Sequence, residues 1–392
     1  MEATLDLEAS LAGGEIIVAV SGEDGSRTSV WAVGESGQAM RLWEIDPGMS
    51  ASDWHVSSGT VAYRLAHPLH EVREVLVTQD LVKAAPPTTV TETRAGDGLL
   101  AGMAWAGGRL GGELHYGVVR EREAPGATAA TPSSRRAYVP NGWEIRRTTG
   151  LADAGQVVWR APSADTAGLI PRLVAVDSEG RRAAIQVISA GGGASELWVV
   201  DLGTGVLRHR VGVGDIRGPI VASATGATVA YRVDGDPGAR VRILDLATGA
   251  VDDLGSALLT GRGPLWALDD IVAWPDSVPG GSALRRQELH PEGADVGSAL
   301  GLALGQPGDK ALALSPGGDL ALVARRTMPA GHQAAAAPGA GASPAGVDAS
   351  ASPLSATFLV VVRLADGAWA PLVWQPPGTV WRADWLSTRG GI

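Results

Sequence analysis

One short phrase occurs twice in this chain. LWVVDLGTG at 197–205 returns as VRILDLATG at 241–249, 44 residues on. Each copy is an apolar strand, an Asp-Leu-x-Thr-Gly turn and the start of another strand. Asp suits the end of the strand, and Gly suits the turn position that needs positive φ. Gly293 lies 44 residues after Gly249, and Gly367 keeps the register once a 30-residue insertion, 327–356, is set aside. A strand–turn–strand phrase at this spacing stacks equivalent modules into one body.

The rest of the chain fits the same period. In TVAYRLA at 60–66, Val61, Tyr63 and Leu65 alternate with Ala62 and Arg64, which is the pattern of a half-buried strand. TVAYR recurs at 228–232, again after a small-residue turn. Residues 1–13 read as a leader and 14–392 as one array. Its repeats open near residues 14, 52, 99, 169, 220, 265 and 310, each with room for four strands. The first begins at what should be its second strand. TVWRADWLSTRGGI at 379–392 reads as a first strand with nothing after it. Joining the two closes a ring and removes two open strand edges. The expected fold is therefore all-β: a single β-propeller of seven four-stranded blades, its N-terminal blade completed by the C-terminal strand. Two insertions, 124–141 and 327–356, are expected as long loops on one face. Thirteen Trp stand against one Phe. Trp54 and Trp385 match in first strands, and Trp31 and Trp198 lie in third strands, so they are expected to pack between blades.

The turns carry a resemblance. SPGGDLALVA at 315–324 and DSEGRRAAIQV at 177–187, followed by the Asp-Leu-x-Thr-Gly phrases, resemble the TolB-like and WD-repeat-like β-propellers. The fourth, fifth and seventh repeats carry the likeness; the paired Gly-His and Trp-Asp marks of eukaryotic WD repeats are missing. These residues build blades. The resemblance implies a scaffold that mediates protein contacts, sometimes as one domain of a larger enzyme, and it implies no reaction.

Composition excludes several classes. The net charge of −10, without a long run of one sign, argues against general nucleic-acid binding, which needs a basic face. Without cysteine there is neither disulfide nor zinc–thiolate chemistry. The N-terminus lacks a basic region and a long apolar core, so it does not read as a signal peptide. No run approaches 18 apolar residues, so no membrane span is expected. The chain as it stands reads as cytoplasmic, or as extracytoplasmic if an N-terminal segment has been trimmed.

Candidate binding residues sit in loops. HPLHE places His67, His70 and Glu71 together, but the distant ligand a metal would need is not evident, and no metal or cofactor is expected. Arg135, Arg136 and Tyr138 make the first insertion the better contact segment, whereas the second is nearly all Ala, Pro, Gly and Ser. No nucleophile elbow, P-loop or dinucleotide-binding fingerprint is present. The expectation is a non-catalytic protein-interaction scaffold of bacterial type, with the insertion-bearing face toward a protein partner of unknown identity. The alternative is a glycan- or small-ligand-binding propeller, or a hydrolase or lyase, working at the central channel through Asp53, His55 and Asp384.

Overall fold

A computed structural model describes residues 14–22, 28–34, 37–45, 50–57, 59–66, 72–80, 85–94, 98–106, 112–123, 138–148, 155–161, 168–189, 195–214, 216, 219–223, 225–233, 239–257, 265–268, 271–278, 281–288, 300–303, 309–315, 317–325, 358–372, 374 and 376–387. All regular structure among them is β. Among the described residues, no helix is long and apolar enough to cross a membrane. Two compact units divide the chain. One is Met1–Glu44, Trp274–Arg286 and Ser298–Ile392; the other is Ile45–Ala273 with Gln287–Gly297.

The sheets are meanders of four antiparallel strands. The C-terminal strand Gly378–Ser387 lies beside Gly14–Gly22, followed by Thr28–Val33 and Ala39–Ile45. Its register runs from Gly14 opposite Ser387 to Gly22 opposite Gly378, so the expected completion of the first sheet is what the chain does. Trp385 and Trp54 are both buried, and so is Trp198. The core of this N- and C-terminal unit joins Ile16, Val18 and Val20 to Leu322, Val361 and Leu372 of the seventh repeat.

One departure from seven separate sheets occurs. The third and fourth repeats form a single eight-stranded sheet, because their first strands, Leu99–Trp105 and Leu169–Val176, pair in parallel at Gly102 and Leu173. Gly102 has φ +81°, and a Cβ there would collide with the Leu173 backbone. Only a residue without a side chain lets two backbones come this close. A second correction concerns the first insertion. Its last residues, 138–141, continue the strand Tyr138–Thr148, with Tyr138 opposite Glu123 and Val139 opposite Arg122. The ladder outlasts the Pro/Ala/Ser/Thr stretch because a bulge between Pro140 and Trp143 absorbs the proline.

The turn phrases share one lock. Gly180, Gly226 and Gly318 close the first turns of the fourth, fifth and seventh repeats by donating to Asp177, Ser223 and Ser315 carbonyls at 2.9–3.0 Å. The residue after each glycine then accepts from the leucine of the second turn: Leu202 to Arg181, Leu246 to Ala227 and Leu364 to Asp319, at 2.7–3.0 Å. In the two copies of the Asp-Leu-x-Thr-Gly phrase, Asp201 and Asp245 also receive the Thr204 and Thr248 amides at 2.8 and 2.7 Å. These paired turns are why the three repeats resemble each other in sequence.

Candidate functional site

First strands are mostly apolar, so a charged residue on one needs a reason. Ser50–Ser57, the first strand of the second repeat, carries two polar residues at alternate positions, Asp53 and His55. Alternation puts both on one face. Asp53 is buried, 5% exposed. His55 Nε2 lies 3.5 Å from Asp53 Oδ1.

The third member comes from the fourth repeat. Arg172 interrupts the apolar run LIPRLVAV, and its Nη2 reaches Asp53 Oδ2 at 3.5 Å. Between these two strands lies Leu99–Trp105. Gly102 stands next to the Arg172 stem, and a Cβ there would be 3.0 Å from Arg172 Cγ. The missing side chain thus keeps space beside Arg172, besides permitting the close pairing of strands. Trp105 fixes the same neighbourhood by donating its indole N–H to the His55 carbonyl at 3.3 Å. Arg64 donates to the Leu100 carbonyl at 2.7 Å, joining the second repeat to the third.

Chemically, the cluster is a buried carboxylate that takes a hydrogen bond from a guanidinium and has an imidazole beside it. The Arg172 side chain is 49% exposed. One edge of its planar fork is directed to Asp53, which leaves further N–H donors for an outside carboxylate or other oxyanion. No group of three His, Asp or Glu among the described residues is placed to hold a metal.

Of the expected channel residues, the structure brings Asp53 and His55 together. Asp384 belongs to the other compact unit, where its Oδ1 accepts from the Trp385 amide at 2.9 Å. His67, His70, Glu71, Arg135 and Arg136 lie outside the described residues, and Tyr138 is described by its backbone alone. Arg172 and Gly102 were missed in the sequence, although both left a signal: a lone charge in an apolar strand and a glycine in a strand interior.

Among solved structures, the chain is similar to a prolyl endopeptidase, with TM-score 0.53 and 14% identity over 94% of this chain and 51% of that one. It is also similar to TolB from Acinetobacter baumannii, with TM-score 0.43 and 15% identity over 92% and 79% of the two chains. A third similar structure is the nidogen/laminin complex, at TM-score 0.41 and 13% identity over 71% and 90%. The chain spans about half the length of the prolyl endopeptidase. No protein-family model matches it, and no curated protein matches its sequence. At these identities the likeness is one of fold alone, and with the four-stranded meanders it is that of a β-propeller.

Proposed function

We propose that this chain is a non-catalytic protein-interaction propeller that receives an acidic group of a protein partner at Asp53, His55 and Arg172. The observation that supports this is the half-exposed Arg172 guanidinium, oriented by a buried carboxylate from another repeat. Holding a guanidinium in place before binding lowers the entropy lost on docking. The insertions 124–137 and 327–356 enter this reading as further contact segments for the same partner.

A second reading is favoured by the His55–Asp53 pair: an acidic glycan or other small anion held or turned over at the same cluster. Cross-linking pull-downs from the native host separate the two. The wild-type chain is compared with Arg172→Ala and with a chain whose residues 328–355 are replaced by a short Gly-Ser turn. A specific protein recovered by the wild type and lost by Arg172→Ala is the expected result. Equal recovery by both would remove the cluster from the interface. If no protein is recovered and an acidic oligosaccharide binds in an Arg172-dependent way, the second reading replaces the first.

A further inference from the structure

The third repeat concentrates positive charge in an acidic chain. Residues 120–160 hold seven arginines against four acids, while the whole chain carries −10. Three of the arginines meet at one carboxylate. Glu144 lies on the strand Tyr138–Thr148, opposite Arg160 on one side and Val118 on the other. Opposed residues share a face, and alternation adds Arg120 and Arg146 to it. Trp143, Ile145 and Trp159 occupy the reverse face and pack with Leu173, Ile185 and Trp198 of the fourth repeat. One face thus carries aromatic packing, and the other carries this charge beside the buried Val118 and Tyr116.

Glu144 is 3% exposed. Its Oε2 accepts from Arg146 Nε and Nη2 at 3.2 and 3.0 Å. Its Oε1 lies 3.1 Å from Arg160 Nε and 3.6 Å from Arg120 Nη1. One negative charge therefore holds three positive ones, and the group keeps an excess of two. The side chains of Arg160 and Arg120 are 63% and 48% exposed. Three guanidinium groups would repel one another if nothing stood among them. The buried carboxylate relieves part of that repulsion, and a doubly charged oxyanion would balance the remainder. Arginine forks match such anions because two parallel N–H donors meet two oxygens.

We propose that the outer strands of the third repeat bind a tetrahedral dianion, a phosphate or sulfate group free or as an ester, with Arg120 and Arg160 as ligands and Glu144 as the residue that positions them. This site involves none of Asp53, His55 or Arg172, so it stands or falls separately from the function proposed above. Calorimetric titration of the full chain at fixed ionic strength tests it, with inorganic phosphate, sulfate and phosphoserine as probes and acetate as the monoanion control. Saturable binding of phosphate or sulfate is expected. Replacing both arginines, Arg120→Gln with Arg160→Gln, should weaken it by about tenfold or more, since each change removes charge-assisted hydrogen bonds to the anion. Phosphoserine binding alone would assign the ester form, whereas binding of all three dianions would assign the bare group. No saturable dianion binding, equal binding of acetate, or undiminished binding by the double variant would overturn the proposal. Should the double variant fail to fold, modification by phenylglyoxal decides on the wild-type chain. Phosphate should protect Arg120 and Arg160 in the peptide map, and identical modification with and without phosphate overturns the assignment.

Discussion

Trp159 of the third repeat donates its indole N–H to the carbonyl of Gly205 in the fourth, 3.2 Å away. The bond ties the outer strand of one repeat to the second turn of the next. An equivalent approach recurs one repeat on, where His209 lies against the turn at Gly249. Trp374 closes a third instance, its amide 3.2 Å from the Gly37 carbonyl and its ring 5.1 Å from Trp31. Replacing Trp159 with Phe keeps an aromatic ring and loses the bond. It should cost about 1 kcal/mol of unfolding free energy in urea; no change in midpoint would show that the bond contributes nothing.

The two turn glycines should respond differently to alanine. Gly205 has open space where a Cβ would stand, whereas the Cβ of an alanine at Gly249 would strike the His209 ring. Both positions have φ near +74°, so Gly205→Ala should cost about 1–2 kcal/mol from backbone strain alone. Gly249→Ala should cost more, because the ring must also move. Chemical denaturation of both variants compares them directly, and equal losses would mean that His209 gives way freely.

Arg325 and Asp309 form an ion pair 2.8 Å long with both side chains 1% exposed, and the guanidinium stacks 4.6 Å from the Trp369 ring. Removing one partner leaves a buried charge. Asp309→Ala should cost about 3–5 kcal/mol, and the joint replacement Asp309→Leu with Arg325→Met should cost less than Asp309→Ala alone. A double variant less stable than the single one would mean that the pair supplies net stability beyond its own desolvation.

His115 is fully buried, and neither ring nitrogen has a hydrogen-bond partner. Burial pushes its pKa below the ordinary 6.5; Glu113 and Asp177 pull it up, and Arg147 pushes it down further. The unfolded chain therefore takes up the proton first as pH falls. Stability from this group is complete above pH 6.5 and is lost below it, down to the depressed folded value. His115→Leu should flatten the fall in melting temperature as pH drops below about 6.5. An unchanged slope in the variant would assign the acid sensitivity elsewhere.

Asp201 has the opposite charge and a related sign. The Thr204 amide, then the Arg208 guanidinium, lower its carboxyl to about 2 from 3.8. Its contribution is present above pH 3.8 and disappears as pH falls through about 2. Asp201→Asn should lower the melting temperature at about pH 6, and the difference should shrink as pH falls to about 2 and vanish below it. A gap that persists at the acid end would trace the loss to turn geometry and not to charge.

Much of this architecture can be read from the sequence where a turn forces particular residues. The Asp-Leu-x-Thr-Gly phrase must place Gly at positive φ, and Gly205 and Gly249 do so, as does Gly367 at the matching position of the Arg-Leu-Ala-Asp-Gly turn. The ends of the chain were legible because one lacked a first strand and the other lacked everything after it. What stayed hidden depends on residues that no local rule brings together. Asp53 and Arg172 are 119 positions apart and meet across a strand whose contribution is a glycine. Glu144 reads as one acid among arginines on an alternating strand, and nothing local marks it as buried. The merger of the third and fourth repeats follows from Gly102, a residue that records only what it permits.

The pairing of Gly14–Gly22 with Gly378–Ser387 sets a timetable for synthesis. The strand at the start of the chain leaves the ribosome long before its neighbour exists. At roughly 5–20 residues per second, the wait is on the order of 20–70 s. Throughout it, one edge of Gly14–Gly22 presents free amides and carbonyls to every other nascent chain nearby. Completion of this first sheet therefore waits for residues 378–387, and its first strand is the part most exposed to wrong pairing until then.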